Sequence, residues 1–289
     1  MTDPAFEARS KAKILIEALP YIRSYRNQVV VVKIGGAPLD DEALARLVAE
    51  DLALLTLVGI RLVILHGGGP QVTDAMTSAG IEPSFVGGLR VTDDDAIEVV
   101  RRVLVGSINS ALVARLNSAG LNAVGISGSD GGVFEAERTA GPAGEDLGHV
   151  GKINVFRPDL VTSLLNDGYT PVIASVAPDG EGNPLNINAD AIAGAVAAGL
   201  PASKLVFLTN VEGLYRDLGD AGSLVSELKV DELKGMAPDL SSGMRPKVDA
   251  AIYALEAGVS KVHILDGRVE HAVLLEIFTE EGIGTQVLP

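Results

Sequence analysis

Two stretches decide the fold: Val29-Val30-Val31-Val32-Lys33-Ile34-Gly35-Gly36 and Leu62-Val63-Ile64-Leu65-His66-Gly67-Gly68-Gly69-Pro70-Gln71. Each is a short, unbroken apolar run that passes straight into glycines. Such runs, lacking polar alternation, are strands covered on both faces, as in a parallel sheet between helical layers. Ala123 to Ile126, Pro171 to Ala174, Leu205 to Leu208 and Lys261 to Leu265 read the same way. Helical patterns fill the intervals at Asp41 to Leu57, Pro70 to Ala79, Asp93 to Ala119, Pro158 to Leu165, Ala189 to Ala198 and Met244 to Ala257. This alternation predicts an α/β protein, a three-layer α/β/α sandwich around a mostly parallel open sheet. The Gly-rich stretch from Val133 to Ile153 reads as a β-hairpin excursion. Ahead of the first strand, Phe6 to Tyr25 reads as an amphipathic helix kinked at Pro20. Its apolar stripe (Ile14, Ala18, Ile22) is buried either on its own lobe or on another subunit.

Composition narrows the function. The 289 residues are 47% hydrophobic and 21% charged, ordinary for a soluble enzyme of one or two lobes. No cysteine is present, which excludes disulfides, thiolate metal sites and a cysteine nucleophile. A net charge of -15 repels nucleic acid. No apolar run is long enough for a membrane span or a secretory leader, so a cytoplasmic address is expected. So acidic a chain must collect cations locally to bind a phosphate ligand, which directs attention to its lysines.

Lys33 stands at a strand's carboxyl end before Gly35 and Gly36, where backbone N–H groups can approach a phosphate. Gly67, Gly68 and Gly69 precede Pro70 at a helix start, a second anion-binding turn. Either sequence also suits a plain tight turn; two in succession favour the anion reading. Neither matches the P-loop or the dinucleotide fingerprint. In Gly87-Gly88-Leu89-Arg90-Val91-Thr92, Arg90 reads either as a surface arginine or, between a Gly pair and a helix start, as a bidentate partner for a carboxylate. Leu185-Asn186-Ile187-Asn188-Ala189-Asp190 opens a helix; at least one of its polar residues is a cap, and Asp190 is placed to orient a lysine. Leu208-Thr209-Asn210-Val211-Glu212-Gly213-Leu214-Tyr215 is a polar loop after a strand, suited to a nucleotide or to an ordinary turn. Lys247 sits in the first turn of a helix, against the dipole, which suits either an anionic partner or a flexible side chain bent towards solvent. The four histidines (His66, His149, His263, His271) are scattered, and no metal-ligand spacing stands out.

Taken in order, Lys-x-Gly-Gly, His-Gly-Gly-Gly-Pro-Gln, Gly-Gly-Leu-Arg-Val-Thr, Asn-x-Asn-Ala-Asp, Leu-Thr-Asn-Val-x-Gly and Gly-Met-x-Pro-Lys resemble the amino-acid kinase family, from about Phe6 to Val287. The resemblance implies transfer of the ATP γ-phosphoryl group, with Mg2+, to the γ-carboxylate of N-acetyl-L-glutamate in arginine biosynthesis. Lys33 and Lys247 would stabilise the phosphoryl group in flight, and Asp190 would hold both. Gly67, Gly68, Arg90 and Asn186 would bind the acceptor. Gly35, Gly36, Thr209, Asn210, Gly213 and Tyr215 would bind ATP, with Gly36 and Gly68 offering N–H groups to the phosphoryl group. No resident protein metal site is implied. Residues 1–27 would be an assembly and regulatory helix, 28–177 an acceptor lobe and 178–289 a lobe for ATP and arginine.

The ending from His271 through Glu276, Thr279, Glu280, Glu281 and Gly282 to Thr285 resembles that of arginine-inhibited members of the family. Lys204, His263, Glu276 and Gly282 are the residues expected near the inhibitor. A homo-oligomer is implied, either a dimer or a trimer of dimers. The chain departs from the family at Ile34, at Ala37-Pro38-Leu39, at Arg245 and around Asn109, where a lysine is absent. These departures bear on acceptor choice. A kinase for a longer acyl-amino acid such as acetylaminoadipate, or a non-catalytic arginine or nucleotide sensor, are the alternatives.

Overall fold

Successive side chains of a strand point to opposite faces, and the valine run at 29–32 feeds one core on each face. Val30, Val32 and Ile34 join one buried cluster and Val31 the other. A strand buried on both faces has to lie inside a layered fold, and the computed structural model shows that arrangement. It describes residues 4–217, 219–279 and 282–289; Glu280 and Glu281 of the quoted ending, and residues 1–3 of the N-terminal segment, lie outside these.

Helix α1 (Pro4–Tyr25) continues through Pro20, where the sequence predicts a kink. Then come β1 (Val29–Ile34), the short α2 (Ala37–Asp40), α3 (Glu42–Leu57), β2 (Arg61–His66), α4 (Gly69–Ser78), β3 (Phe85–Val86) and β4 (Leu89–Arg90). Next are α5 (Asp94–Arg101), a π-helical segment Arg102–Ile108, α6 (Asn109–Ser118), β5 (Ala123–Ile126), β6 (Phe134–Arg138), β7 (Val150–Phe156), α7 (Asp159–Asn166) and β8 (Thr170–Ala174). After these run β9 (Val176–Pro178), β10 (Pro184–Ile187), α8 (Ala189–Gly199), β11 (Lys204–Thr209), β12 (Leu214–Tyr215), β13 (Leu224–Val225) and β14 (Glu227–Lys229). The chain closes with α9 (Val230–Met236), α10 (Arg245–Glu256), β15 (Lys261–Asp266), α11 (Ala272–Phe278) and β16 (Thr285–Leu288).

The large sheet has the order β14-β16-β15-β11-β1-β2-β8-β5. All its pairings are parallel except β15 with β16. It runs unbroken across the 177/178 boundary. On one face lie α3, α6 and α11, through Leu52, Leu112 and Val273 among others. On the other lie α7, α8, α9 and α10, through Val161, Val196, Leu233 and Ala251. Local signals agree with this arrangement: Asp41 caps α3 by accepting from the Ala43 and Leu44 N–H groups at 2.8 and 3.0 Å.

Three details differ from the sequence reading. The helix over 93–119 contains a π-helical turn. The 133–153 hairpin belongs to a separate four-stranded sheet, β6-β7-β10-β9. The edge strands β14 and β16 extend the large sheet.

Candidate active site

Lys33 shares the side of β1 that carries Val31, because both are odd positions of one strand. That side faces α8. Asp190 sits in the first turn of α8, behind an Asn188 cap whose Oδ1 accepts from the Asp190 N–H at 2.8 Å. Gly194 lies one turn on, along the same face. A Cβ at Gly194 would stand 2.9 Å from the Ala250 carbonyl, so its absence lets α10 close onto α8. The same crossing brings Lys247, one turn before Ala250, over Asp190.

The result is a buried triad. Lys33 Nζ lies 2.9 Å from Asp190 Oδ1, and Lys247 Nζ donates to Asp190 Oδ2 at 3.0 Å and to the Gly243 carbonyl at 3.3 Å. The Lys33 contact is an ion pair off the hydrogen-bond axis, so Oδ1 has no aligned donor. Burial pushes the Asp190 carboxyl upward, but the two ammonium groups outweigh it and hold the pKa below the ordinary carboxylate value. Two cations are thus fixed beside one anion.

The glycine turns surround this triad. A Cβ on Gly67 would stand 3.7 Å from Lys33 Nζ, and one on Gly35 would crowd the same ammonium at 2.6 Å. Gly36 has φ of 69°. Among the described residues, neither the Gly36 nor the Gly68 amide donates a hydrogen bond. The remaining turn bonds knit strands together: Gly35 N–H to the Leu208 carbonyl at 3.1 Å, and Gly67 N–H to that of Ile34 at 3.1 Å.

Beside Gly68 lies a cavity of about 180 Å³, lined among others by Arg90, Leu104, Ser175, Asn186 and Asn188. Arg90 stacks over Phe85 at 4.6 Å from the ring centroid, and its Nη2 donates to the Gly69 carbonyl and Thr73 Oγ1 at 2.9 and 2.8 Å. Its other N–H groups bond no oxygen of the described residues. Burial lowers its pKa, although guanidinium remains the charged form. Asn186 donates to Thr92 Oγ1 at 3.2 Å, and Thr92 Oγ1 donates to the Arg90 carbonyl at 2.8 Å. Arg90 and Asn186 are therefore held in fixed relation.

On the other side of β1, Asn210 Oδ1 accepts from the Ala37 N–H at 2.6 Å and so caps the Gly36 turn. The Thr209 carbonyl accepts from Gly267 N–H at 2.8 Å. The Tyr215 hydroxyl donates to Glu212, which raises its pKa. Gly213 sits against Thr285, whose Oγ1 accepts from the Leu214 N–H at 2.8 Å.

The remaining candidates cluster elsewhere. A second cavity, about 400 Å³, lies between the end of α1 and the far side of the sheet. Tyr21, Tyr25, Lys204, Lys261, Glu276 and Gly282 line it. Lys204 is 3.9 Å from Glu276 and lies 5.0 Å from the Tyr25 ring centroid. Burial depresses its pKa to about 8; Glu276 opposes that effect and Lys261 adds to it. His263 lies behind Glu276, wholly buried, with Nδ1 2.6 Å from Oε1.

Sequence reading missed the wall residues Phe85, Leu104 and Ser175, which carry no pattern of their own. Asn109, noted in the sequence only for the lysine absent near it, is buried and touches His66.

With that geometry established, comparison gives the class. The sequence profile of the amino acid kinase family matches residues 28–266, and the chain belongs to that family. It is similar along its whole length to the acetylglutamate kinase of Saccharopolyspora erythraea, at 46% identity with 100% of this chain and 96% of that one covered. The acetylglutamate kinase of an Arthrobacter species is 48% identical, over 98% and 94%. The chain is thus an enzyme, a kinase. A solved N-acetylglutamate synthase from Neisseria gonorrhoeae, complexed with coenzyme A and N-acetyl-glutamate, superimposes with a TM-score of 0.86 at 30% identity. The match covers 96% of this chain, which spans 63% of that synthase. The Giardia carbamate kinase shares the fold, with a TM-score of 0.66 at 16% identity over 91% of this chain and 99% of that one.

Proposed function

We propose that the chain transfers the γ-phosphoryl group of ATP to the γ-carboxylate of N-acetyl-L-glutamate, the second step of arginine biosynthesis. One observation carries this reading: two lysines, 214 positions apart in the chain (247 minus 33), meet on a single carboxylate beside a cavity that holds an arginine and an asparagine. The acceptor carboxylate is ionised at neutral pH, so no general base is needed. Its oxygen attacks phosphorus while the bond to the ADP oxygen breaks. Lys33, Lys247 and the N–H groups of Gly36 and Gly68 receive the charge that spreads over the phosphoryl oxygens. Asp190 keeps both ammonium groups in place.

In the acceptor cavity, Arg90 binds the substrate's α-carboxylate, and Asn186 and the 67–68 turn bind its remaining polar groups. ATP lies along Gly35, Gly36, Thr209, Asn210, Gly213 and Tyr215. Magnesium carried on the nucleotide supplies further charge neutralisation. Such an ion would keep most of its waters and enter bound to ATP oxygens. The lobes 28–177 and 178–289 are then divisions by ligand over one shared sheet.

The 400 Å³ cavity supports a second part of the proposal, feedback inhibition by arginine. Two carboxylates, two tyrosine rings and two lysine amines suit an amino acid with a guanidinium head. A solved N-acetylglutamate synthase complexed with L-arginine is 29% identical, with a TM-score of 0.82. The exposed Ile14, Leu15 and Ile16 of α1 suit pairing with a second copy, as a dimer or a trimer of dimers. No described helix is long and apolar enough to cross a membrane, and the proposed location is the cytoplasm.

The test is an acyl-hydroxamate assay with ATP and N-acetylglutamate, with and without arginine, run in parallel on acetylaminoadipate. Product from acetylglutamate is expected, suppressed by arginine. No product from any short acyl-amino acid would defeat the reading. Removing residues 1–25 should weaken arginine inhibition, and an unchanged response would refute the role given to α1.

A further inference from the structure

His66 ends β2 with no solvent exposure. Each of its ring nitrogens meets one polar atom. Nε2 lies 3.0 Å from Asn109 Nδ2, and Nδ1 lies 2.9 Å from the Gly67 carbonyl. Asn109 Nδ2 also lies 3.0 Å from the Val172 carbonyl. A carbonyl only accepts, so the carboxamide must present its NH2 group there, which settles its orientation. The second N–H of that group then donates to His66 Nε2. Nε2 is therefore unprotonated, and Nδ1 carries the hydrogen donated to Gly67.

The Gly67 carbonyl is thereby pinned towards the sheet. In a trans peptide the following N–H points the opposite way, and that N–H belongs to Gly68. We propose that Asn109, acting through His66, is a positioning residue that aims the Gly68 amide at the transferring phosphoryl group. The inference rests on the phosphoryl-binding role proposed for Gly68.

Two features of the fold serve this arrangement. The π-helical turn 102–108 inserts a residue just before Asn109, rotating the following helix by about 100°. It also packs Leu104 and Ile108 where a side chain on Gly68 would go. Gly125 on β5 leaves the space that the Asn109 carboxamide fills. Burial, with the Lys33 ammonium nearby, holds the His66 pKa down to about 4, against the opposing bond to Gly67. Lys33 is the charged group facing the ring; from α6 the ring meets the neutral Asn109, whose carboxamide is held in turn by the Val172 carbonyl of β8.

The first test uses the intact protein. Nitrogen-15 NMR of the histidine rings should show His66 as the neutral Nδ1–H tautomer throughout the range where free histidine titrates. An Nε2–H tautomer, or ordinary histidine titration, would overturn the relay. The second test is Asn109→Asp beside Asn109→Leu. Asn109→Asp should draw a proton onto His66, adding an ionisation near neutrality to the ring spectrum and to the kcat profile. Both variants should lose roughly ten- to a hundredfold in kcat, from misaimed amides. Folded variants with wild-type kcat would overturn the positioning role. Gly125→Ala, which displaces the same carboxamide from the β5 side, gives an independent reading and should lower kcat likewise; an unchanged kcat there would also overturn it. Wild-type turnover decides the proposed reaction, whereas the ring spectrum and the ratio of variant to wild type decide the relay.

Discussion

Asp190→Asn removes the charge that joins the two lysines and changes little else in shape. The wild-type carboxylate is 2.9 Å from one ammonium and 3.0 Å from the other, and all three side chains are nearly buried. Stripping the shared partner from a buried ion pair costs about 3–5 kcal/mol. At about 2–4 °C per kcal/mol for a chain of this size class, the midpoint should drop by roughly 6–20 °C. Because the folded pKa of Asp190 is depressed, its contribution is present at neutral pH and is lost as pH falls below about 4. The stability gap between wild type and variant should therefore close in acid. Activity should fall further than stability: an electrostatic contact to the phosphoryl group is worth about a hundred- to a thousandfold in kcat, and two are disturbed at once. The assays are hydroxamate turnover at saturating substrates and calorimetry between neutral pH and pH 3. A double variant, Lys33→Met with Asp190→Asn, should recover part of the lost stability and no activity. A folded Asp190→Asn enzyme with wild-type kcat would refute the triad.

Three other outcomes follow from the geometry. Arg90→Lys replaces a stacked, forked cation by a point charge, and the acceptor KM should rise about ten- to a hundredfold with kcat changed less, measured by steady-state kinetics. Gly36→Ala puts a Cβ into the Asn210 carboxamide at a φ of 69°, so it should break the Ala37 cap and lower kcat by about a hundredfold in the same assay. Lys204, held near 8 when folded, binds its proton more tightly once the chain unfolds. Wild-type stability relative to Lys204→Met should therefore rise by up to about 3 kcal/mol between pH 8 and about 10.5, and parallel denaturation curves for the two proteins would contradict this.

The central strands are legible in the sequence because burial on both faces confines polar residues to near their ends; β1, apolar up to Lys33, and β11, apolar between Lys204 and Thr209, are the clearest cases. The small sheet is not legible, since β9 and β10 are three and four residues long and contain prolines, too short for any period to show. The convergence of Lys33, Asp190 and Lys247 is readable as an expectation from motif order. What brings them together, the close α8–α10 crossing at Gly194, leaves no mark beyond one more small residue in an alanine-rich helix. His66 looks scattered in the sequence because its partner Asn109 is 43 residues away. Helical periodicity also hides the π-turn that aims Asn109 inward.

Among the described residues, the small sheet shares no ladder with the large one. With β4 it brings Arg90, Val150 and Asn186 to the cavity proposed for the acceptor, while β1, α8 and α10 carry the Lys33–Asp190–Lys247 triad. On the proposed function, the part that chooses the acid is an attachment to the part that handles phosphate. Mutation can redraw the one without re-engineering the other, so new acceptor preferences are within short evolutionary reach of an unchanged transfer engine.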